Sequence, residues 1–208
     1  MWPWEHAIVG YLVYSLFCHV IYRDSPGGLE AFAVVFASVL PDIIDKPLAW
    51  EYGVFDAGYA IGHSIFFAVP LSILVGLIAR SAGRPRTGIA FGLGYLLHLP
   101  SDVLDAYIRE GVYQPAIMLW PVETVSAEGH EQGFVDQFFL LFNRYSSDLI
   151  AGDLSTYLWI QVGMAGFAFL LWLYDGAPVL RELLLGCKRL LFGLAGIDQS
   201  SDRASERP

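Results

Sequence analysis

Along this chain apolar runs of roughly 20 residues, the length of a membrane helix, are separated by short turns that gather the charged side chains. Residues 57–79, 87–101 and 154–174 contain no Asp, Glu, Lys or Arg. The pattern predicts a first helix from Glu5 to Tyr22, closed by the turn-forming run Arg23-Asp-Ser-Pro-Gly-Gly. A second helix starts near Leu29 and runs to Leu40, where Pro41-Asp42 bends or ends it. Continued to Asp45 it would cover about 25 Å, barely a span. Residues 46–57 read as a polar loop, 58–79 as helix three, 80–86 as a turn and 87–108 as helix four. Residues 110–133 look irregular, 134–150 look like an amphipathic helix lying on the surface, and 154–174 read as helix five. A second interfacial helix is expected after Gly176. The expected fold is all-α: a polytopic membrane helix bundle of about five spans with one or two interfacial helices. It forms one domain, residues 1–196, with a polar, disordered tail at 197–208.

Composition narrows this further. The chain of 208 residues is 55% hydrophobic and only 16% charged, with mean hydropathy +0.50. Met1-Trp-Pro-Trp-Glu-His has no basic region and no clear cleavage site follows, so the first helix is expected to be retained. The net charge of −9 argues against nucleic acid as a partner, and the Lys-poor acidic surface resembles that of proteins from salt-rich cytoplasm. Membrane lipids are the expected surroundings. The turn at 80–86 carries Arg80, Arg84 and Arg86, so it should be cytoplasmic. Threading outward from it also places Arg23, Arg181, Lys188, Arg189, Arg203 and Arg207 inside, leaving only Lys46, Arg109 and Arg144 of the 12 basic residues outside. The N-terminus is then outside and the C-terminus cytoplasmic. Cys18 and Cys187 fall near the cytoplasmic side, where a disulfide is not expected. Gly88 and Gly92 make a small-xxx-small pair suited to close helix packing.

With that threading, scattered polar residues gather at the outer end of the bundle. His6 opens helix one, Asp42 and Asp45 end helix two, His63 begins helix three, and His98 and Asp102 lie near the end of helix four. Ionisable groups on membrane helices are costly and therefore functional candidates. Imidazoles converging with carboxylates suit a transition metal, zinc first among them. His98 and Asp102 stand four apart and so share a helix face, with Pro100 between them to tilt that turn. The expected metal ligands are His6, Asp42, His63, His98 and Asp102. Asp45 could be a carboxylate that orients an imidazole, a ligand or a loop charge, and it is the candidate for a general base. Asp105 stands three residues past Asp102 and could face water. His19 is 13 residues past His6, about 20 Å along the same helix, and should miss the cluster. The apolar turn Met118-Leu-Trp-Pro-Val-Glu123 could cover the site or anchor the loop in the interface, and His130 is expected in solvent.

The order of these elements resembles the LexA-regulated, membrane-bound, metal-dependent hydrolase family. The resemblance rests on His6, Leu40-Pro41-Asp42-Ile43-Ile44-Asp45, Gly62-His63-Ser64, Gly94-Tyr95-Leu96-Leu97-His98-Leu99-Pro100-Ser101-Asp102 and Leu119-Trp120-Pro121, and covers about residues 5–122. More distantly, the ligand order is similar to that of zinc-dependent phospholipase C. The resemblance implies a hydrolase; Asp45 and Asp102 are the catalytic candidates among these residues, and location at headgroup depth together with the resemblance suggests a lipid or another phosphoester as substrate. Lys46 stands where family members often carry His, and Ala60-Ile61-Gly62 stands in place of an Arg-Gly-x-Thr run. With fewer ligands, one or two metals fit better than three. Two rivals remain: an ion or metal transporter, disfavoured because the inner helix halves read as lacking matching polar residues, and a scaffold with a structural metal.

Overall fold

The computed structural model describes residues 1–125, 133–151 and 156–188, and among these it is all-helical, with no strand. Helix α1 spans Pro3–Phe17 and runs on as a π-helical turn, Cys18–Tyr22. Pro3 suits the first helical position because its missing N–H would be unpaired there, and the Trp2 N–H donates to Glu5 Oε2 at 2.6 Å. Helices α2, Gly28–Trp50, α3, Ile65–Ser81, and α4, Pro85–Glu110, complete the central bundle. A 3-10 turn at Pro115–Met118 leads to α5, Phe134–Ala151, and α6, Thr156–Tyr174; residues 180–188 are helical again.

The core is built on close backbone approach. A Cβ on Gly10 would meet Ser38 Oγ at 2.0 Å, and one on Gly94 would meet the Val34 carbonyl at 2.3 Å. Those two glycines let α1 and α4 press onto the same stretch of α2, as small residues do between membrane helices. Tyr14, Val34, Ala37, Ala90, Tyr95 and Leu99 fill the seam. Val34 faces Gly94 and the Ser38 carbonyl faces His98, so α2 and α4 run parallel in step. One further turn in that register brings Asp42 alongside Asp102. Gly88 also marks close packing, since its Cβ would lie 2.8 Å from Gly76 Cα on α3, whereas one on Gly92 would make only ordinary contact with Ser72.

Several expected boundaries move. Helix α2 does not end near Pro41 but continues through Pro41 and Pro47 to Trp50, so residues 46–50 are helix and not loop. Pro41 lacks the N–H that would bond the Ala37 carbonyl, yet α geometry continues through it; the next carbonyl along, that of Ser38, is bonded by His98. At 23 residues α2 is then about 35 Å long. Helix α3 begins at Ile65 and not at 58, because the N–H groups of Ala60, Gly62 and His63 bond to the Asp45 carboxylate.

Among the described residues, Pro3–Tyr22 and Thr156–Tyr174 are long and apolar enough to cross a membrane, and Ile65–Ser81 is a shorter apolar helix. Five spans are thus not all marked by length and composition: α2 and α4 are long but carry the acids and Lys46. Outward-facing Ile73, Leu74, Leu77 and Ile78 on α3, and Trp159, Phe167 and Leu170 on α6, are exposed apolar side chains. The expected second interfacial helix is described as far as Lys188, and its Glu182 accepts the Gly28 N–H at 2.9 Å. His130, the 196/197 domain boundary and the expected tail lie outside the described residues.

Candidate metal centre

Elements distant in sequence deliver the site. Asp42 and Asp45 lie one turn apart on α2, His98 and Asp102 one turn apart on α4, His6 near the start of α1, and His63 in the connector ahead of α3. All six are at most 4% exposed. His63 Nε2 lies 3.0 Å from His98 Nε2, 3.3 Å from Asp102 Oδ2 and 3.4 Å from Asp42 Oδ1. His98 Nε2 lies 3.2 Å from Asp102 Oδ2 and 3.8 Å from Asp42 Oδ1. A ligand atom from each of Asp42, His63, His98 and Asp102 falls within 4.8 Å of the others. Ligands at about 2.0 Å around a tetrahedral zinc would stand about 3.3 Å apart, close to most of these separations.

The far nitrogens of the two imidazoles are fixed by acceptors. His98 Nδ1 is 2.6 Å from the Ser38 carbonyl, and His63 Nδ1 is 2.8 Å from Asp45 Oδ2. Neither a carbonyl nor a carboxylate can donate, so both Nδ1 atoms carry hydrogen and both Nε2 atoms face the cluster. Asp45 also accepts the N–H groups of Ala60 at 2.7 Å, Gly62 at 2.8 Å and His63 at 3.0 Å. Buried polar atoms are normally paired, yet Asp42 Oδ1 and Oδ2, Asp102 Oδ2 and both His6 nitrogens have no hydrogen bond of good geometry. Such a surplus of lone pairs converging in a buried space fits a divalent cation. Two near neighbours are charged. The Lys46 ammonium stands 2.7 Å from Asp42 Oδ1, and the Met1 ammonium stands 2.9 Å from Asp102 Oδ1 and 3.1 Å from Asp105.

Burial pulls the His63 imidazole toward neutrality, but the carboxylates of Asp102, Asp42 and Asp45 around the ring outweigh it and raise its pKa to about 10. A proton on Nε2 therefore stands where a cation would, and metal and proton compete there.

His6 sits at the edge, its Nε2 3.0 Å from Asp102 Oδ1 and its ring stacked on His98 at 3.7 Å between centroids. Asp105 is only 9% exposed and accepts the Tyr157 hydroxyl at 2.6 Å, which corrects its reading as a water-facing acid. The Trp120 carbonyl accepts the Ser64 hydroxyl at 2.5 Å, so the loop carrying it packs on the residue next to His63. His19 lies away from the cluster and meets Asp175 at 2.7 Å. The Tyr11 and Ser15 hydroxyls donate to the same carboxylate, each at 2.7 Å. The far half of α1, its π-helical turn and the residue after α6 thus do carry matched polar groups, which overturns the expectation that this end lacks them. The Ser38 carbonyl and the Tyr95 hydroxyl, which donates to the Gly62 carbonyl at 2.8 Å, were not legible as parts of the site. Cys18 is buried and Cys187 exposed, both free thiols.

A helical bundle with apolar outer faces and a buried His and Asp cluster defines the class: an all-α membrane protein with a candidate metal centre. The family model described as YdjM inner membrane protein matches residues 1–180, and the chain belongs to that family. The family description carries the membrane part of the expected resemblance and names neither a metal nor a reaction. No curated protein and no solved structure matches the chain.

Proposed function

We propose that the protein is a membrane-bound, metal-dependent hydrolase that acts on a lipid or another phosphoester at the outer membrane interface. The observation that carries this reading is the facing pair of His63 and His98 Nε2 atoms, 3.0 Å apart and flanked by carboxylate oxygens of Asp42 and Asp102. His63, His98, Asp42 and Asp102 would hold one divalent ion, with zinc first among candidates for this N and O donor set. Such an ion supplies Lewis acidity toward a phosphoryl or acyl oxygen and acidifies bound water. The protein's own groups do the orienting: the Ser38 carbonyl turns His98 and Asp45 turns His63. Asp45 already accepts four donors, three backbone N–H groups and the His63 Nδ1–H, which supports it as a positioning residue more than as a general base. Asp102, with Oδ2 toward the cluster and Oδ1 toward His6, is the carboxylate placed to touch reacting atoms. The five-span topology with this end outside is supported by Arg23, Arg80, Arg84 and Arg86 at the opposite end. The test is hydrolysis of a panel of phospholipids and soluble phosphoesters by purified protein in detergent. Turnover should disappear in Asp102→Asn, and a substrate hydrolysed equally by that variant would refute the assignment.

A transport reading is favoured by one observation: the polar residues of α1 recur as Tyr11, Ser15 and His19, each on Asp175. Membrane helices use such stripes to line ion paths. Zinc or proton flux into proteoliposomes that is lost in Asp175→Asn would favour transport over hydrolysis.

A further inference from the structure

Lys46 is held as firmly as the groups it touches. Its ammonium stands 2.7 Å from Asp42 Oδ1 and 5.8 Å from the centre of the Trp50 ring, and its side chain is only 16% exposed. Its stem passes the backbone at Gly58, where an added Cβ would lie 3.5 Å from Lys46 Cγ. An amine in that setting is part of the buried charge balance, and buried charges persist only when matched. Asp42, Asp45 and Asp102 bring three negative charges to the cluster, and both imidazoles are neutral when their Nε2 atoms serve as ligands. One divalent ion and the Lys46 ammonium together supply three positive charges. The Met1 ammonium and the Asp105 carboxylate, 3.1 Å apart, cancel one another and both stand outside this sum. A second divalent ion would leave the buried site with two unmatched positive charges. Donors for such an ion nevertheless exist, since both His6 nitrogens and Asp42 Oδ2 lack aligned partners.

We infer that Lys46 is the resident second cation of the centre: its ammonium occupies the Asp42 carboxylate and limits the cluster to a single divalent ion. The inference rests on the metal-binding reading above but concerns only how many ions the site takes. The chemistry supplied by one ion differs from that of a paired site, in which two ions clamp the attacking and leaving oxygens. With Lys46 in place, the ammonium is the second positive group beside an anionic substrate.

The test is metal stoichiometry on the full chain purified in detergent, stripped, equilibrated with excess zinc, desalted and measured by elemental analysis. Circular dichroism and gel filtration establish that each variant is folded. Wild type and Lys46→Arg, which keeps the charge, should each hold about one equivalent, whereas Lys46→Met should rise toward about two. Wild type holding two equivalents would overturn the inference. So would a folded Lys46→Met that stays at one or loses its metal. Lys46→Gln serves the same purpose if the Met variant does not fold. Wild type that binds no zinc at all would instead sink the metal reading itself, so the two failures are distinguishable.

Discussion

Asp45 shows what a single carboxylate can be made to do by its surroundings. The spacing Asp42-x-x-Asp45 leaves it open whether Asp45 is a base, a ligand, an orienting carboxylate or a loop charge. The fold wraps Ala60, Gly62 and His63 around it, and its four donors hold the His63 ring with Nε2 toward the cluster. Groups behind a ligating imidazole typically matter by about 10–100-fold in metal affinity. Asp45→Asn should therefore weaken zinc binding by about that factor in a competition titration with a chromophoric chelator. His19→Gln should leave affinity unchanged, because His19 is bonded to Asp175 at the far end of α1. An unaltered affinity in Asp45→Asn would remove it from the site. The pH dependence follows from His63, whose pKa is raised to about 10. Below that value the metal must displace a proton, so binding tightens as pH rises and weakens by up to about tenfold per unit as it falls. Zinc affinity flat between mildly acidic and mildly alkaline pH would contradict a ligand role for His63. The residue types of the site were legible because His and Asp are out of place among apolar runs. Their mutual distances were not, since those depend on the register between α2 and α4.

At the scale of elements, that register is set by glycines rather than by the polar residues themselves. Gly94 lies against the Val34 carbonyl, and Gly10 lies against Ser38. Gly94→Ala would drive a methyl group into backbone that cannot yield, where overpacking typically costs about 1–3 kcal/mol. The variant should melt earlier in detergent and bind zinc less tightly, because the same shift parts Asp42 from Asp102. Gly76→Ala, where added volume meets nothing within 4 Å, is the matched control. A Gly94→Ala variant as stable and as metal-competent as that control would show the register to be set elsewhere. Helix existence was readable from hydropathy, and α1, α4, α5 and α6 fall close to their expected limits. The misplaced boundaries share one physical cause. Pro41 and the run before Ile65 are resolved by bonds to groups remote in sequence, the His98 ring and the Asp45 carboxylate, which no local pattern announces.

The whole molecule joins an apolar outer surface to a polar centre at one end of the bundle. Membership of an inner membrane protein family agrees with that surface, while the proposed orientation rests on Arg23 ahead of α2, Arg80 at the end of α3, and Arg84 and Arg86 at the start of α4. In a background lacking Cys18 and Cys187, a cysteine replacing Glu123 should react with an impermeant maleimide on intact cells, and one replacing Arg84 should react only after lysis. The opposite labelling would invert the topology and move the site to the cytoplasmic face. The central claim is that His63, His98, Asp42 and Asp102 together hold a divalent ion, and anomalous diffraction from crystals of the zinc-loaded protein at the zinc edge tests it most directly. The account predicts a strong anomalous peak about 2 Å from both Nε2 atoms and from an oxygen of each aspartate. Loaded crystals with no peak among those four side chains, or with zinc bound only elsewhere, would contradict it.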